Sequence, residues 1–455
     1  GLGNWLIMTL ATSPAAVEKF LSAYENADQA KSPGWLSDTR QQAWSIFSEL
    51  GIPVKRRGNE LWKYTNLTPV AESDFEYDLS GSVSIDQVRS TSPWDDTWNI
   101  AVVVDGRFNA DLSNLTEDVG VSVGSLSDAF SSGSGEIESQ FASLAGREEY
   151  AFTALNTAFA SDGAYVAVAP GVKLGNPVQV IFVTSDSAKS RASYPRLLVD
   201  VGSDSSITLI ETYVNLSLSR QLSVPVTEIF AASDATIRHY RIQMENENSF
   251  HLATTRVAQM EDSQFTSTSF AVGSSIARND IHTSLDAPGA SCTLHGLYMT
   301  SGQQQQDQEI STTHVKPGCT SDQFYKGILS GNSRAAFSGK VVVKRDAQKS
   351  DATQKDLNLL LSRGARIDAK PSLEIYADDV VAAHGATAGH VDSDTLFYLQ
   401  SRGIDEEAAK AILIRGFAEE MIDEFEPESL NAFVEQVASE RIPVLLAESD
   451  TIGTT

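Results

Sequence analysis

The chain has 455 residues, with 60 acidic side chains against 34 basic ones and a formal charge of −26. Such a length exceeds one ordinary compact domain and calls for two or three domains or for one elongated, repetitive core with appendages, and the second fits better. The acidity speaks against a nucleic-acid phosphate track or an anionic membrane surface as partner; it confers solubility, or reflects a salty habitat.

The opening Gly1 to Ile7 is apolar but has no basic flank and no convincing cleavage site, so it reads as an extension before Met8. From Ala15 to Leu50 the apolar residues Val17, Phe20, Leu21 and Tyr24, then Ala43, Ile46, Phe47 and Leu50, recur at helical spacing. They predict two amphipathic helices, broken at Ser32-Pro33-Gly34 and stopped by Gly51-Ile52-Pro53. In Glu60-Leu-Trp-Lys-Tyr-Thr65 an aromatic pair reads as a loop anchor rather than a catalytic element. Thr68 to Ser92 and Ser131 to Gly135 gather Ser, Gly and acidic residues without a period, and read as linkers or exposed loops.

From about Asn99 to Val381 short β-branched runs alternate with Gly, Asn, Asp and Ser turns, as at Ile100 to Val104, Val178 to Val183 and Ile207 to Tyr213. The runs at Val341, Asn358 and Leu373 begin about 15 to 17 residues apart, too close for crossover helices between them. This pattern suits a solenoid of parallel strands or a large sandwich, and periodicity does not choose between them. After Asp392 the helical period returns. Ser393 or Asp394 caps a short helix ending at Gly403, Asp405 caps a second, and Pro427 opens a third. On the second, Leu413, Phe417, Met421 and Phe425 fall four apart and form one apolar stripe. The predicted organisation is therefore a helical region and linker over 1–98, a β core over 99–391 and a helical domain over 392–455.

Cys292 and Cys319 are the only cysteines, which excludes a disulfide framework and a self-contained four-thiolate site. No run of about 18 or more apolar residues spans a membrane as a helix. The chain has no Walker A loop, no His-Glu-x-x-His helix and no Cys-x-x-Cys pair, hence no ATPase, metalloprotease or dithiol signature. Asp378 and Asp379 are adjacent on a strand-like run, so their carboxylates point apart and do not converge on one bond. His239, His251, His282 and His295 lack metal-motif spacing and read as solvated or core-satisfied imidazoles. His314 and Cys319 flank a Pro-Gly turn and offer a nitrogen and a sulfur to a soft metal, but two ligands do not complete a site. His384 is different, because it follows the last strand-like run and precedes the flexible Gly385-Ala-Thr-Ala-Gly389.

Ala369-Lys-Pro-Ser-Leu-Glu-Ile-Tyr-Ala-Asp-Asp-Val380, running on through His384-Gly-Ala-Thr-Ala-Gly389 to Leu396-Phe-Tyr-Leu-Gln-Ser-Arg-Gly403, resembles the signature of the SufD family of iron–sulfur cluster assembly proteins. Ser321-Asp-Gln-Phe-Tyr-Lys-Gly-Ile-Leu329, Phe337-Ser-Gly-Lys-Val-Val-Val343 and Gln348-Lys-Ser-Asp-Ala-Thr-Gln354 continue it upstream. The resemblance implies a mainly β fold, a right-handed parallel β-helix flanked by N-terminal and C-terminal helices. It implies a non-enzymatic, cytoplasmic scaffold with no tightly bound cofactor, sharing a transient iron or iron–sulfur cluster with a SufB-like paralogue. That paralogue would pair through the end of the β-helix, and a SufC-like ABC ATPase through the C-terminal helices bearing Leu413, Phe417, Met421 and Phe425. Whether the isolated chain pairs with itself as a homodimer is left open by the sequence. His384 matches the family histidine at the SufB interface, where it serves as an iron or cluster ligand. Many relatives have a cysteine two positions earlier; here Ala382 stands there, so the sulfur ligands are expected from the partner. The alternatives are a SufB-like principal scaffold and, in another class, a carbohydrate-binding or carbohydrate-active β-helix.

Overall fold

Strands of about ten residues, each bounded by a tight turn, follow one another from Thr236 to Gly389 and pair not with their neighbours in sequence but with the strand after next. A chain that does this coils. In the computed structural model, which describes residues 14–27, 32–77, 81–146 and 150–449, the result is a parallel β-solenoid of about eight turns. One wall begins at Asn99–Val104 and ends at Val380–Gly389; the other ends at Arg366–Ile375. The apolar stretch at 1–7 lies outside the described residues.

Register explains the absence of a strict sequence repeat. Thr236 lies opposite Gln264, Gln264 opposite Ser291, Ser291 opposite Thr320, and Thr320 opposite Asp351, so the turn length drifts with the loops while the strands stay aligned. At three successive turns the chain reverses through an aspartate with positive φ, Asp204 at 53°, Asp234 at 59° and Asp262 at 52°. Asp tolerates this left-handed conformation better than most residues with a Cβ.

Alternation along the strands divides each wall into an inward and an outward face. Inward residues such as Val199, Leu209, Ile237, Ile281, Leu294, Ile310 and Phe337 form the lumen core. The outward faces are covered by helices. Phe20, Phe47, Trp62, Phe152 and Phe159 pack over Leu222, Phe250, Leu252 and Ile276 on one wall. Met421, Phe425, Leu430 and Val434 pack over Ile242, Phe270, Leu297 and Ile328 on the other.

The two N-terminal helices are Pro14–Asn26 and Gly34–Leu50, as their periodicity predicts. The helix Ser393–Ser401 is capped by Asp392 rather than by Ser393 or Asp394, while Asp405 caps Glu406–Ile422 and Pro427 precedes Glu428–Ala447. The segments read as linkers contain helices: Thr68–Glu72, Ile85–Thr91 and, just before Ser131–Gly135, Leu126–Ser131. Each is shorter than two full turns, so no period is visible in the sequence; Ser84 and Ser125 cap the last two through backbone N–H groups. Helices also interrupt the β core at Gly135–Gln140 and Ala151–Phe159. Glu228, fully buried, fastens this insert by accepting the backbone N–H groups of Ala142, Leu144 and Ala145, each at 2.9 Å, while pairing with Arg196 at 2.5 Å.

The aromatic segment at Trp62–Thr65 is a structural anchor. Thr65 donates to Asp307 at 2.6 Å, Gln305 donates to the Tyr64 carbonyl, and the Arg278 guanidinium lies 4.4 Å from the Trp62 ring centre. These contacts pin the N-terminal region to the outer face of the solenoid.

Candidate functional site

The two ends of the solenoid differ. At the start, the antiparallel pairings of Arg107–Phe108 and Val121–Ser125 close both walls. At the other end Arg366–Ile375 and Val380–Gly389 each pair on one side only, leaving the outer row of backbone groups open among the described residues. Ile375, Tyr376 and Val381 are exposed there. Two unpaired strands edged with apolar side chains form a template for another chain.

His384 stands at this open end. It lies opposite Gln354, and the same inward column continues through Gln323, Leu294, Ser267 and His239. All of those are buried, so His384 is exposed only because no further coil covers it. Beside it on the last coil are Ala382 and Ala386, and on the facing wall the inward positions are Ile367, Ala369, Pro371, Leu373 and Ile375. Among the inward positions of these two terminal strands the imidazole is thus the one strongly coordinating group. One coil deeper, burial pushes the Asp356 carboxyl up to about 7, against the lowering effect of its hydrogen bond from Asn358.

The structure does not support His314 and Cys319 as metal ligands. His314 is buried with Nδ1 3.1 Å from the Ser350 hydroxyl and Nε2 2.8 Å from that of Ser321, so both ring nitrogens are occupied. Burial holds its imidazole down at about 4, hence neutral. Cys319 donates to the Ala287 carbonyl at 3.3 Å, and burial raises both its thiol and that of Cys292, the latter to about 12. Neither thiol is disposed to ionise. No three His, Cys, Asp or Glu side chains gather at metal-binding spacing among the described residues.

Four further histidines have polar partners within the fold. His239 bridges Glu211 and Ser267, both at 2.9 Å, a Ser-His-Glu chain sealed inside the lumen. His251 meets Glu245 at 2.8 Å, His282 meets Thr313 at 3.0 Å, and His295 meets Asp322 at 2.8 Å. Asp378 and Asp379 form an exposed turn, with the Asp379 carbonyl accepting the Lys349 N–H at 2.6 Å.

The apolar stripe expected on the second C-terminal helix faces the solenoid, contrary to its expected role as a partner surface, and its last member, Phe425, lies past the helix end at Ile422. Met421 and Phe425 are 1% exposed, and the Phe425 ring sits 5.6 Å from that of Tyr240. Phe417 is half-buried over the Lys326 ammonium, and Leu413 is half-buried. A bare sheet face beneath the helix claims the stripe first. The most exposed large apolar side chains of the described helical domain are instead Phe397, Tyr398 and Ile412, at 72%, 56% and 49%, ahead of Val444 at 38%. In the sequence Phe397 shows only as one apolar position of the short first helix, and Tyr398 and Ile412 follow no stripe.

Comparison with known proteins agrees with this architecture. Residues 182–417 match the SufBD core domain of the SUF iron–sulfur cluster assembly system, and residues 15–180 match the SufBD N-terminal region. The chain belongs to the SufBD family of iron–sulfur cluster assembly proteins. It is 30% identical over 417 residues to a SufBD family protein of Synechocystis sp., covering 89% of this chain and 90% of that one. It is 29% identical over 436 residues to SufD of Escherichia coli, covering 95% and 98%, and 24% identical over 448 residues to SufD of Bacillus subtilis, covering 96% and 100%. These matches along nearly the whole length put it with SufD and set aside the carbohydrate reading.

Proposed function

We propose that this chain is the accessory, non-enzymatic half of a composite assembly site, completed by a SufB-like paralogue and driven by a SufC-like ABC ATPase. The observation that carries the reading is the exposed His384 on an inward column at the uncapped end of the solenoid. A partner solenoid added to the open strands Arg366–Ile375 and Val380–Gly389 would cover that imidazole and bring its own thiolates to it. A neutral imidazole is a sound ligand for iron in a sulfide-bridged cluster, and this chain's own buried thiols do not reach the mouth. The nascent iron–sulfur cluster is therefore cargo, held between subunits. Ala382 beside His384 favours the accessory over the principal scaffold, since the coil carries no cysteine.

The ATPase contact falls on Phe397, Tyr398 and Ile412, the apolar side chains that the described helical domain leaves most exposed. The helices touch the wall through Lys326 and Glu420, Arg238 and Glu426, and the buried Phe425, so a pull on them is transmitted to the solenoid. Co-expression with the SufB-like and SufC-like proteins of the same genome, followed by light-scattering mass, tests the assembly. A particle with one copy of this chain, one SufB-like and two SufC-like subunits is expected. Elution of the chain alone, with both partners present, contradicts it.

A further inference from the structure

Directly beneath His384 the lumen holds two acceptors that no donor satisfies among the described residues. Gln354, 1% exposed, lies opposite His384, and Asp356, fully buried, lies opposite Ala386. Two residues apart on one strand, they share the inward face. Gln354 donates its amide to Gln323 Oε1 at 2.9 Å, which leaves its own Oε1 without a partner. Asp356 accepts from Asn358 at 2.7 Å through Oδ2, while Oδ1 has none. Asn358 is itself held by the Tyr298 hydroxyl at 2.6 Å, so Asp356 is braced from one side and free on the other.

Each orphaned buried acceptor costs about 1–3 kcal/mol, and more for a charged one. Two on one strand at the mouth of a lumen call for a donor or a cation. Among the described residues, the inward side chains above them on the last coil are His384 and the methyl groups of Ala382, Ala386 and Ala388. Strand spacing and rise put the Cα atoms of His384 and Asp356 about 8 Å apart, a span that an imidazole and a carboxylate bridge through one ion. An imidazole nitrogen with a carboxylate and an amide oxygen is a borderline donor set, suited to divalent first-row metals rather than to soft monovalent ones.

We propose that the lumen mouth is a divalent-cation site in which His384, Asp356 Oδ1 and Gln354 Oε1 hold ferrous iron within this chain before the partner's sulfur ligands reach it. The assignment of the ion to cluster assembly rests on the reading of His384 given above; the binding itself does not. No bond to sulfur and no electron transfer is involved at this stage, and the open positions of the ion remain for water and then for the partner.

The test titrates the isolated full chain with Co2+, an air-stable substitute whose visible absorption reports coordination. One Co2+ per chain is expected, with Asp356→Asn and His384→Ala each weakening it about tenfold or more. Gln354→Met, which removes one oxygen donor but neither charged nor imidazole ligand, weakens it less and serves if Asp356→Asn does not fold. Absence of Co2+ binding, or an affinity unchanged by substitutions at both 354 and 356, overturns the site. Normal cluster assembly by a complex carrying His384→Ala overturns instead the reading on which the ion's use depends, leaving the Co2+ result to stand or fall separately.

Discussion

Replacing Phe425 by alanine distinguishes a stripe that holds the helical domain to the solenoid from one that waits for a partner. The side chain is 1% exposed, faces Tyr240 at 5.6 Å between ring centres, and shares its cluster with Met421, Leu430 and Val434. Truncating a phenylalanine so placed costs about 3–5 kcal/mol, including about 0.5–1.5 kcal/mol for the lost ring pair. The next residue adds to the effect, because the Glu426 N–H donates to the Tyr240 hydroxyl at 3.4 Å and shifts with the helix. Hydrogen exchange of Glu406–Ile422 and Glu428–Ala447 is the suitable assay, since loss of this contact frees the helices before the solenoid unfolds. The expected result is a drop of about 4 kcal/mol in their opening free energy. The control is Phe397→Ala, at a residue 72% exposed, which should change opening by less than about 0.5 kcal/mol while weakening SufC-like binding. A cost below about 1 kcal/mol for Phe425→Ala, or equal costs for the two variants, refutes the reasoning.

Three further outcomes follow from the interior. His314 has a folded pKa of about 4 against about 6.5 when unfolded, so the unfolded chain takes up the proton first and stability falls as pH drops from 6.5 to 4, by about 3 kcal/mol. His282, also near 4, and His251, which burial likewise lowers, act with the same sign, so His314→Gln should remove part of the slope of urea midpoint against pH in that window; an unchanged slope counts against the burial argument. Glu228→Gln leaves the fully buried Arg196 without its counter-charge and should cost about 3–5 kcal/mol in equilibrium denaturation, with the 142–145 segment exchanging faster; a neutral effect contradicts the fastening role. Gly296→Ala places a Cβ 2.4 Å from Tyr325 Cε1 and 2.6 Å from Ser269 Oγ, and about 1–3 kcal/mol of overpacking is expected in the same assay.

Much of this is legible in the sequence alone. Helix ends marked by Pro33, Gly51, Asp405 and Pro427 fall where capping chemistry puts them, because those signals are local. The β core was legible as strands and turns, but its coiling was not, since turn lengths vary and parallel pairing links residues about 30 apart without a fixed repeat. His384 stood out as a histidine after the last strand; that it continues a buried column, with Gln354 beneath it, depends on register. The stripe from Leu413 to Phe425 shows that an amphipathic period identifies the buried face of a helix without saying what buries it. His314 and Cys319 looked like a ligand pair from spacing alone, and only the serines brought in from neighbouring strands reveal that the imidazole is already used.

The most direct test of the composite site is cluster formation by a co-purified complex of this chain, the SufB-like subunit and the SufC-like ATPase, with His384 replaced by alanine and visible absorption of the iron–sulfur chromophore as readout. The account predicts a complex of unchanged mass whose cluster yield falls by about tenfold or more, because the exposed imidazole at the open end is lost while the solenoid is untouched. Full cluster yield from that intact complex would contradict it.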